Sequence, residues 1–448
     1  MVNYDTLVKA YDIRGTVPAE MSADVAASVG ALFARLTAAP AIAVAHDMRD
    51  SSPELAAALA AGAARAGANV IEAGLGSTDY AYYVSGSLGI PAAMITASHN
   101  PAQYNGIKLC RAGAAPIGED TGLADIRAWL KAGDIPPAAA VPGTITRRDL
   151  LPGYAGYLRS LVDLSGIRPL QAVIDAGNGM AGHTVPAVLA GLPVKVDPMY
   201  FELDGTFPNH EANPLEPENL RDCQARVRQT GADIGLCFDG DADRCFFIDE
   251  RGEPVPASAI IGLVAARELA RRPGAAIVHN VITSAAAVEV IREHGGTPVR
   301  SRVGHSYMKA LMAQHDAAFG GEHSGHYYFA DFWRADTGML TALHVLAALG
   351  SQDRPLSELA SAYTRYAASG EINSRVTDVP AKLDQVQAAY TRPGATADRL
   401  DGLTITLHGG QWFNLRPSNT EPLLRLNVEA PTPAEMEQLR DEVLAIVR

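Results

Sequence analysis

The chain has 448 residues, 48% of them hydrophobic and 19% charged, which is too long for one ordinary core and apolar enough to fill one in each of two to four domains. Its formal net charge of −13, with no block of lysine or arginine, excludes a general nucleic-acid surface, so any small anion must be met by a few arginines aimed into one cleft. The cysteines (Cys110, Cys223, Cys237, Cys245) form no CxxC pair, Met1–Gly15 carries no basic-then-apolar leader and no apolar run is long enough to span a bilayer, so a cytoplasmic protein with no zinc, disulfide, membrane or nucleic-acid partner is expected.

In chain order, one pattern occurs three times. Ala41–Ala45 predicts a short buried strand, Asp47–Ser52 a polar loop, and Ser52 an N-cap with Pro53 at the first helical position. Leu55 and Leu59 then share a helical face, Gly67 closes the helix, and Val70 and Ile71 open the next strand. Gln171–Ile174, the glycine-rich turn Asp175–Gly182, a helix over His183–Ala190 and a strand over Val194–Val196 repeat it. Ala275–Val278, the turn Asn280–Ser284, a helix over Ala285–His294 and a strand resuming at Val299 repeat it again. Strand, loop, helix, strand is the βαβ unit, which implies mostly parallel sheets covered by helices. Beyond a helix expected over Leu356–Tyr366 the pattern changes. Glu371–Val376, Leu403–Leu407, Trp412–Leu415 and Leu424–Val428 predict strands, and Pro433–Val447 an amphipathic helix. The predicted fold class is therefore α/β: three similar α/β domains with mixed, mostly parallel sheets, plus a smaller C-terminal α+β domain. A Pro-rich linker at Ile135–Gly143, a turn at Asp249–Gly252 and a bend at Ala367–Gly370 put the domains at residues 1–145, 146–249, 250–368 and 369–448.

Four segments carry chemistry. Thr96-Ala97-Ser98-His99-Asn100-Pro101 follows the apolar strand Ala92–Ile95, so Ser98 stands where a strand opens into a loop, the place where α/β proteins bind ligands. With His99 adjacent and Lys108 further on, Ser98 is either a nucleophile with proton-transfer groups nearby or part of an ordinary Ser/Asn/Pro turn. Asp239-Gly240-Asp241-Ala242-Asp243-Arg244 sits between Ile234–Phe238 and Cys245–Ile248. Carboxylates at alternate positions repel unless a hard cation neutralises them, and an all-oxygen set points to magnesium rather than zinc. An EF-hand is excluded, because its sixth position requires glycine and holds Arg244, and both flanks are strands. In Gly320–His326, Glu322 and Ser324 between glycines suit adjacent sugar hydroxyls; His326 is an acid/base group or merely pairs with a carbonyl. Arg416-Pro417-Ser418-Asn419-Thr420-Glu421-Pro422 with Arg425 is a phosphate cradle or a polar hairpin turn. Gly177–Gly182 also matches GxGxxG, but nothing elsewhere offers a hydride-transfer site, so a plain strand-to-helix turn is expected.

The order of these segments, together with Lys9–Gly15, Asp47-Met48-Arg49 and Asp204–His210, resembles the α-D-phosphohexomutase superfamily over nearly the whole chain. Gly-Glu-His-Ser-Gly-His at residues 321–326 is most similar to its phosphomannomutase/phosphoglucomutase branch; phosphoglucosamine mutases usually have glutamine where His323 stands. The resemblance implies four domains around a central cleft, Ser98 as a phosphoserine, and Mg2+ held by Asp239, Asp241, Asp243 and the group on Ser98. It also implies a hexose phosphate substrate, a hexose 1,6-bisphosphate intermediate and activator, and a monomer or homodimer. Arg14, Lys108, Arg244 and His305 would line the reacting end, and Lys108, His99 or His326 would move protons. Tyr11, Glu322 and Ser324 would contact the sugar, and Arg416, Ser418, Asn419, Thr420 and Arg425 its phosphate. Alternatives are a phosphoglucosamine mutase and a catalytically silent sugar-phosphate-binding protein. The lysine that some members carry in the turn at 279–284 is missing, leaving Lys309 to supply that contact or the contact absent.

Overall fold

The structure is a computed structural model that describes residues 2–417 and 423–448. The described chain forms two compact units: residues 2–255 with Ser324–Leu359, and Pro256–His323 with Ala360–Arg448.

The first unit begins with a mixed sheet. Its strand Ala41–His46 is apolar along its length and sits between parallel neighbours Asn69–Leu75 and Ala92–Ile95. Beyond Ala92–Ile95 the sheet turns antiparallel through Tyr104–Arg111 to Ile13–Thr16. Helices Ala23–Thr37 and Ser52–Arg65 bury Val29, Leu32, Phe33, Leu55 and Leu59 in the same core as Ile42 and Val44. His46 is paired with Ile95 in register, so the loops that follow these strands leave their carboxyl ends side by side, where open α/β sheets bind ligands. Ser52 is not the N-cap. Ser51 holds that position without a side-chain cap, while the Ser52 hydroxyl donates to Asp47 Oδ1 at 2.5 Å and receives Asn105 Nδ2 at 2.9 Å. The hydroxyl is engaged by a buried carboxylate and a buried amide instead of accepting from the free N–H groups of its own helix.

A second sheet in this unit places Leu170–Asp175 between parallel strands Val194–Met199 and Ile234–Phe238. Ile234–Phe238 then pairs antiparallel with Cys245–Ile248, Phe238 opposite Cys245, so the aspartate segment is the turn of a hairpin. The glycine-rich turn packs on that hairpin. A Cβ on Gly179 would stand 2.6 Å from the Gly240 carbonyl oxygen, and Met180 N donates to the same oxygen at 2.9 Å. The GxGxxG pattern thus serves a close backbone approach, and its helix begins at Ala181 rather than His183. Residues expected in a third domain divide between the units: the antiparallel pair Tyr327–Phe329 and Ala335–Asp336 and the helix Gly338–Gly350 lie in the first.

In the second unit Ala276–Asn280 lies between parallel strands Thr297–Ser301 and Phe319–Gly321. A separate sheet is wholly antiparallel, in the order Ala367–Arg375, Leu423–Ala430, Trp412–Pro417, Leu403–Thr406, Thr396–Asp398. Helices Val379–Tyr390 and Pro433–Val447 close over its core of Phe413, Leu415, Leu426 and Val443. The helix expected over Leu356–Tyr366 stops at Ser361, and the strand expected from Glu371 begins at Ala367. Pairing with Leu423–Ala430 is interrupted between Ala368 and Glu371, where Gly370 has φ +67° and the Ser369 hydroxyl accepts Val428 N at 3.0 Å. What reads as a bend is a bulged strand.

Among the described residues no helix is long and apolar enough to cross a membrane, and all four cysteines are buried free thiols. Gly179→Ala is expected to cost ~1–3 kcal/mol of stability through overpacking against the hairpin, read by urea unfolding. A variant as stable as the parent would show that the turn does not need the close approach.

Candidate active site

Ser98 has φ +52°, a left-handed backbone that costs a residue with a side chain on the order of 1–3 kcal/mol and persists only where its surroundings enforce it. The enforcing group is Arg49, 1% exposed. Its Nη1 donates to the carbonyls of Pro101 and Tyr104, both at 2.9 Å, and its Nη2 to those of Ser98 at 2.8 Å and Asn100 at 2.6 Å. Asp47 orients the guanidinium, accepting Arg49 N at 3.0 Å and pairing with its Nε at 3.3 Å. The Phe207 ring lies 5.1 Å from the guanidinium, which gives the Asp204–His210 segment a role as a cover. Burial pushes the Asp47 acid up and the Arg49 guanidinium down, and each is opposed by the other. Sequence reasoning assigned Arg49 no role; its signal was a charged Asp-x-Arg step directly after a buried strand.

The hairpin turn brings three acids to the serine. Asp239 Oδ2 accepts Ser98 Oγ at 3.0 Å and Arg244 Nε at 2.8 Å, and Asp239 Oδ1 accepts Arg244 N at 3.1 Å. Lys108 Nζ reaches Asp241 Oδ2 and Asp243 Oδ2, both at 2.7 Å. All three aspartates are buried and offer oxygens within 4.8 Å of one another. Three carboxylates here face two cations, and the directions of their shifts follow. Burial pushes the Asp239 acid well up, with Asp243 and Asp241 adding to it and Arg244 opposing. Burial also works against Asp241 and Asp243, yet Lys108, joined by Thr78 at Asp241 and by His326 and Arg244 at Asp243, holds both below the ordinary range.

Buried Asp241 Oδ1 and Asp243 Oδ1 make no hydrogen bond. Orphaned anionic oxygens beside a third, undercompensated carboxylate fit a hard divalent cation, and the absence of nitrogen or sulfur from that set favours Mg2+.

Around this centre, His99 Nδ1 lies 3.2 Å from Ser98 Oγ and accepts a short hydrogen bond from Arg244 Nη2. Burial and the guanidiniums of Arg244 and Arg14 push this imidazole down to about 2, so His99 is neutral. Arg244 Nη2 is 3.5 Å from Ser98 Oγ. Arg14 donates to Asn100 Oδ1 and pairs with Asp12, which ties it to the serine loop. His326 places Nε2 3.6 Å from Asp243 Oδ1 and Nδ1 2.9 Å from Ser324 Oγ. Tyr11 is 39% exposed.

In the second unit Glu322 is buried and its Oε1 accepts Gly304 N at 3.0 Å, just before His305 opens a helix. Arg416 and Arg425 stand opposite each other on paired strands, and Glu371 lies 3.6 Å from the first and 3.3 Å from the second. Burial lowers the Arg416 guanidinium, with Asp401 and Glu371 opposing. Lys309 is buried in the helix His305–Gln314. Ser418, Asn419 and Thr420 lie outside the described residues.

Residues 5–134, 152–252 and 257–366 match the phosphoglucomutase/phosphomannomutase alpha/beta/alpha domains I, II and III, and residues 371–446 match the C-terminal domain of that family. The chain is 39% identical over 448 residues to the phosphomannomutase of Escherichia coli K12, covering 98% of each chain. It is 41% identical over 442 residues to a Xanthomonas campestris protein named for phosphohexose mutases, again covering 98% of each. The crystal structure of a phosphoglucomutase/phosphomannomutase family protein from Burkholderia thailandensis is similar with a TM-score of 0.90 at 31% identity, over 100% of this chain and 97% of that one.

Asp241→Asn and Asp243→Asn should each weaken Mg2+ binding at least ~10-fold in calorimetric titration with the fold retained, since even outer-shell changes at metal sites cost that much. Unchanged affinity in both would place the metal elsewhere.

Proposed function

Because the chain belongs to the phosphoglucomutase/phosphomannomutase family and is a phosphohexomutase interconverting hexose 1- and 6-phosphates of mannose and/or glucose, we propose that the phosphoryl group travels through Ser98. The observation that carries this is the serine hydroxyl on a strained turn, 3.0 Å from the buried Asp239 carboxylate.

In the proposed cycle Ser98 starts as a phosphoserine. The free hydroxyl oxygen of a hexose monophosphate attacks phosphorus in line, the P–Oγ bond of Ser98 breaks, the attacking hydroxyl gives its proton to a base, and Ser98 Oγ takes a proton up. The product is a hexose 1,6-bisphosphate. Once it has turned over, Ser98 Oγ gives up its proton and attacks the other phosphate, the sugar oxygen leaves and regains a proton, and the isomeric monophosphate is released. Added bisphosphate activates by loading Ser98. Asp239, Asp241 and Asp243 would hold Mg2+, which would supply positive charge against the ~2 negative charges of phosphoserine.

The chain's own groups divide the remaining work. Arg244, 3.5 Å from Ser98 Oγ, steadies the charge that develops there as the P–O bond breaks. Lys108 is opposed by burial, but Asp241 and Asp243 outweigh this and hold it protonated, so it serves as a fixed cation. His99 is neutral in the unphosphorylated protein and orients Arg244. That leaves His326, adjoining Asp243, to carry the proton. Glu322, Ser324, His305 and Tyr11 bind the sugar. Arg416, Arg425, Ser418, Asn419 and Thr420 hold the phosphate that is not reacting, with Arg14 near the reacting end. A doubly charged phosphate displaces Glu371 from the arginine pair, because a single carboxylate pairs with it only at 3.3 and 3.6 Å. We place this chemistry in the cytoplasm.

Ser98→Ala is expected to lower kcat on the order of a thousandfold or more and to abolish labelling by radioactive bisphosphate. A Ser98→Ala protein that keeps its turnover would remove the phosphoserine from the reaction. Mannose, glucose and glucosamine 1-phosphates assayed side by side should give turnover of the first two and little of the third; a preference for glucosamine overturns the substrate assignment. Arg416→Ala should raise KM for hexose phosphate about 10–100-fold with a smaller effect on kcat, as expected for loss of a charge-assisted phosphate contact.

A further inference from the structure

Asp79 lies in the first turn of the helix Thr78–Leu88 and is fully buried, and among the described residues no lysine, arginine or histidine pairs with it. Three hydroxyls satisfy it instead. Ser77 Oγ donates to Oδ1; Tyr154 Oη at 2.7 Å and Thr337 Oγ1 at 2.6 Å donate to Oδ2. Ser77 is a near neighbour in the chain, whereas Tyr154 and Thr337 come from two distant stretches. Burial pushes the acid up to about 6, so the carboxylate is held at a cost in stability.

The neighbours of those partners explain what the cost secures. Thr78, next to Asp79, grips Asp241 twice: Oγ1 donates to Oδ2 at 2.6 Å and the backbone N donates to the carbonyl oxygen at 2.9 Å. Thr337 caps the helix Gly338–Gly350 by accepting Leu340 N at 3.1 Å, and the next residue, Gly338, abuts the other end of the same turn. A Cβ on Gly338 would stand 2.6 Å from the Arg244 carbonyl carbon and 2.8 Å from its oxygen. The turn from Asp241 to Arg244 is therefore bracketed by residues adjoining two members of one hydrogen-bonded group.

We propose that Asp79 is a positioning residue for the metal-binding turn, acting through Thr78 on Asp241 and through Thr337 on the backbone at Arg244. It touches neither substrate nor metal. The inference rests on the reading of Asp241 as a metal ligand.

The test is calorimetric Mg2+ titration of the intact protein, with mutase kinetics beside it. Asp79→Asn should weaken Mg2+ binding about 10-fold, the usual effect of losing an outer-shell partner, while KM for hexose phosphate stays within about twofold. A Thr78→Val, Asp79→Asn double variant should lose clearly less affinity than the sum of the single losses, because part of the effect runs through Thr78. If Asp79→Asn fails to fold, Tyr154→Phe, which removes one donor, should still weaken Mg2+ binding about threefold. A stability loss with unchanged Mg2+ affinity, or fully additive losses, overturns the proposal. Because the titration reads binding without turnover, a wild-type protein that binds Mg2+ through these aspartates but does not interconvert hexose phosphates would refute the proposed reaction and leave this inference standing.

Discussion

The constraint on which the first unit turns is electrostatic. One hairpin buries three carboxylates within reach of one another, and such a cluster survives only if cations are brought to it from elsewhere in the chain. Lys108 comes from an antiparallel strand of a different sheet, and Arg244 folds back from the end of the turn itself. Their two charges leave the cluster short of neutrality. That shortfall leaves negative charge of the kind a divalent ion would offset, and Ser98 meets Asp239 there rather than standing on an ordinary turn. The parallel register of Ala41–His46 with Ala92–Ile95 puts the serine loop at the strand ends that face this charge.

Electrostatics alone does not set the serine's direction. The left-handed turn at Ser98 is imposed by a second buried charge, Arg49, neutralised by Asp47 and covered by Phe207. The two charge systems are complementary. The aspartates create demand for positive charge, and the arginine spends its donors on backbone, so it does not compete for the same acids. Its side chain has no pH-dependent state near neutrality, which suits a permanent scaffold.

Much of this was legible from residues alone, and the reasons are local. Apolar runs such as Ile234–Phe238 and Cys245–Ile248, broken by alternating acids, admit few structures other than a turn between buried strands. The βαβ starts at Ala41, Gln171 and Ala275 announced themselves through apolar strands followed by helix-opening turns. What escaped is non-local. The Ser52 hydroxyl looks like a helix cap until Asp47 is seen beneath it. Ala367–Gly370 looks like a bend until the pairing with Leu423–Ala430 is drawn. Gly179 mimics a nucleotide-binding glycine because any tight strand-to-helix turn against a neighbouring backbone makes the same demand. Asp79 is invisible in one dimension, since two of its three donors stand 75 and 258 positions away.

Arg49 grips the serine loop by its main-chain oxygens, not by its side chains. The exposed tip, Pro101 to Gln103, is therefore held in path through its main chain. A change of side chain at those positions can alter what the loop presents without moving the Ser98 hydroxyl. The loop separates two properties that most turns keep coupled: where the chain goes, and what it displays along the way.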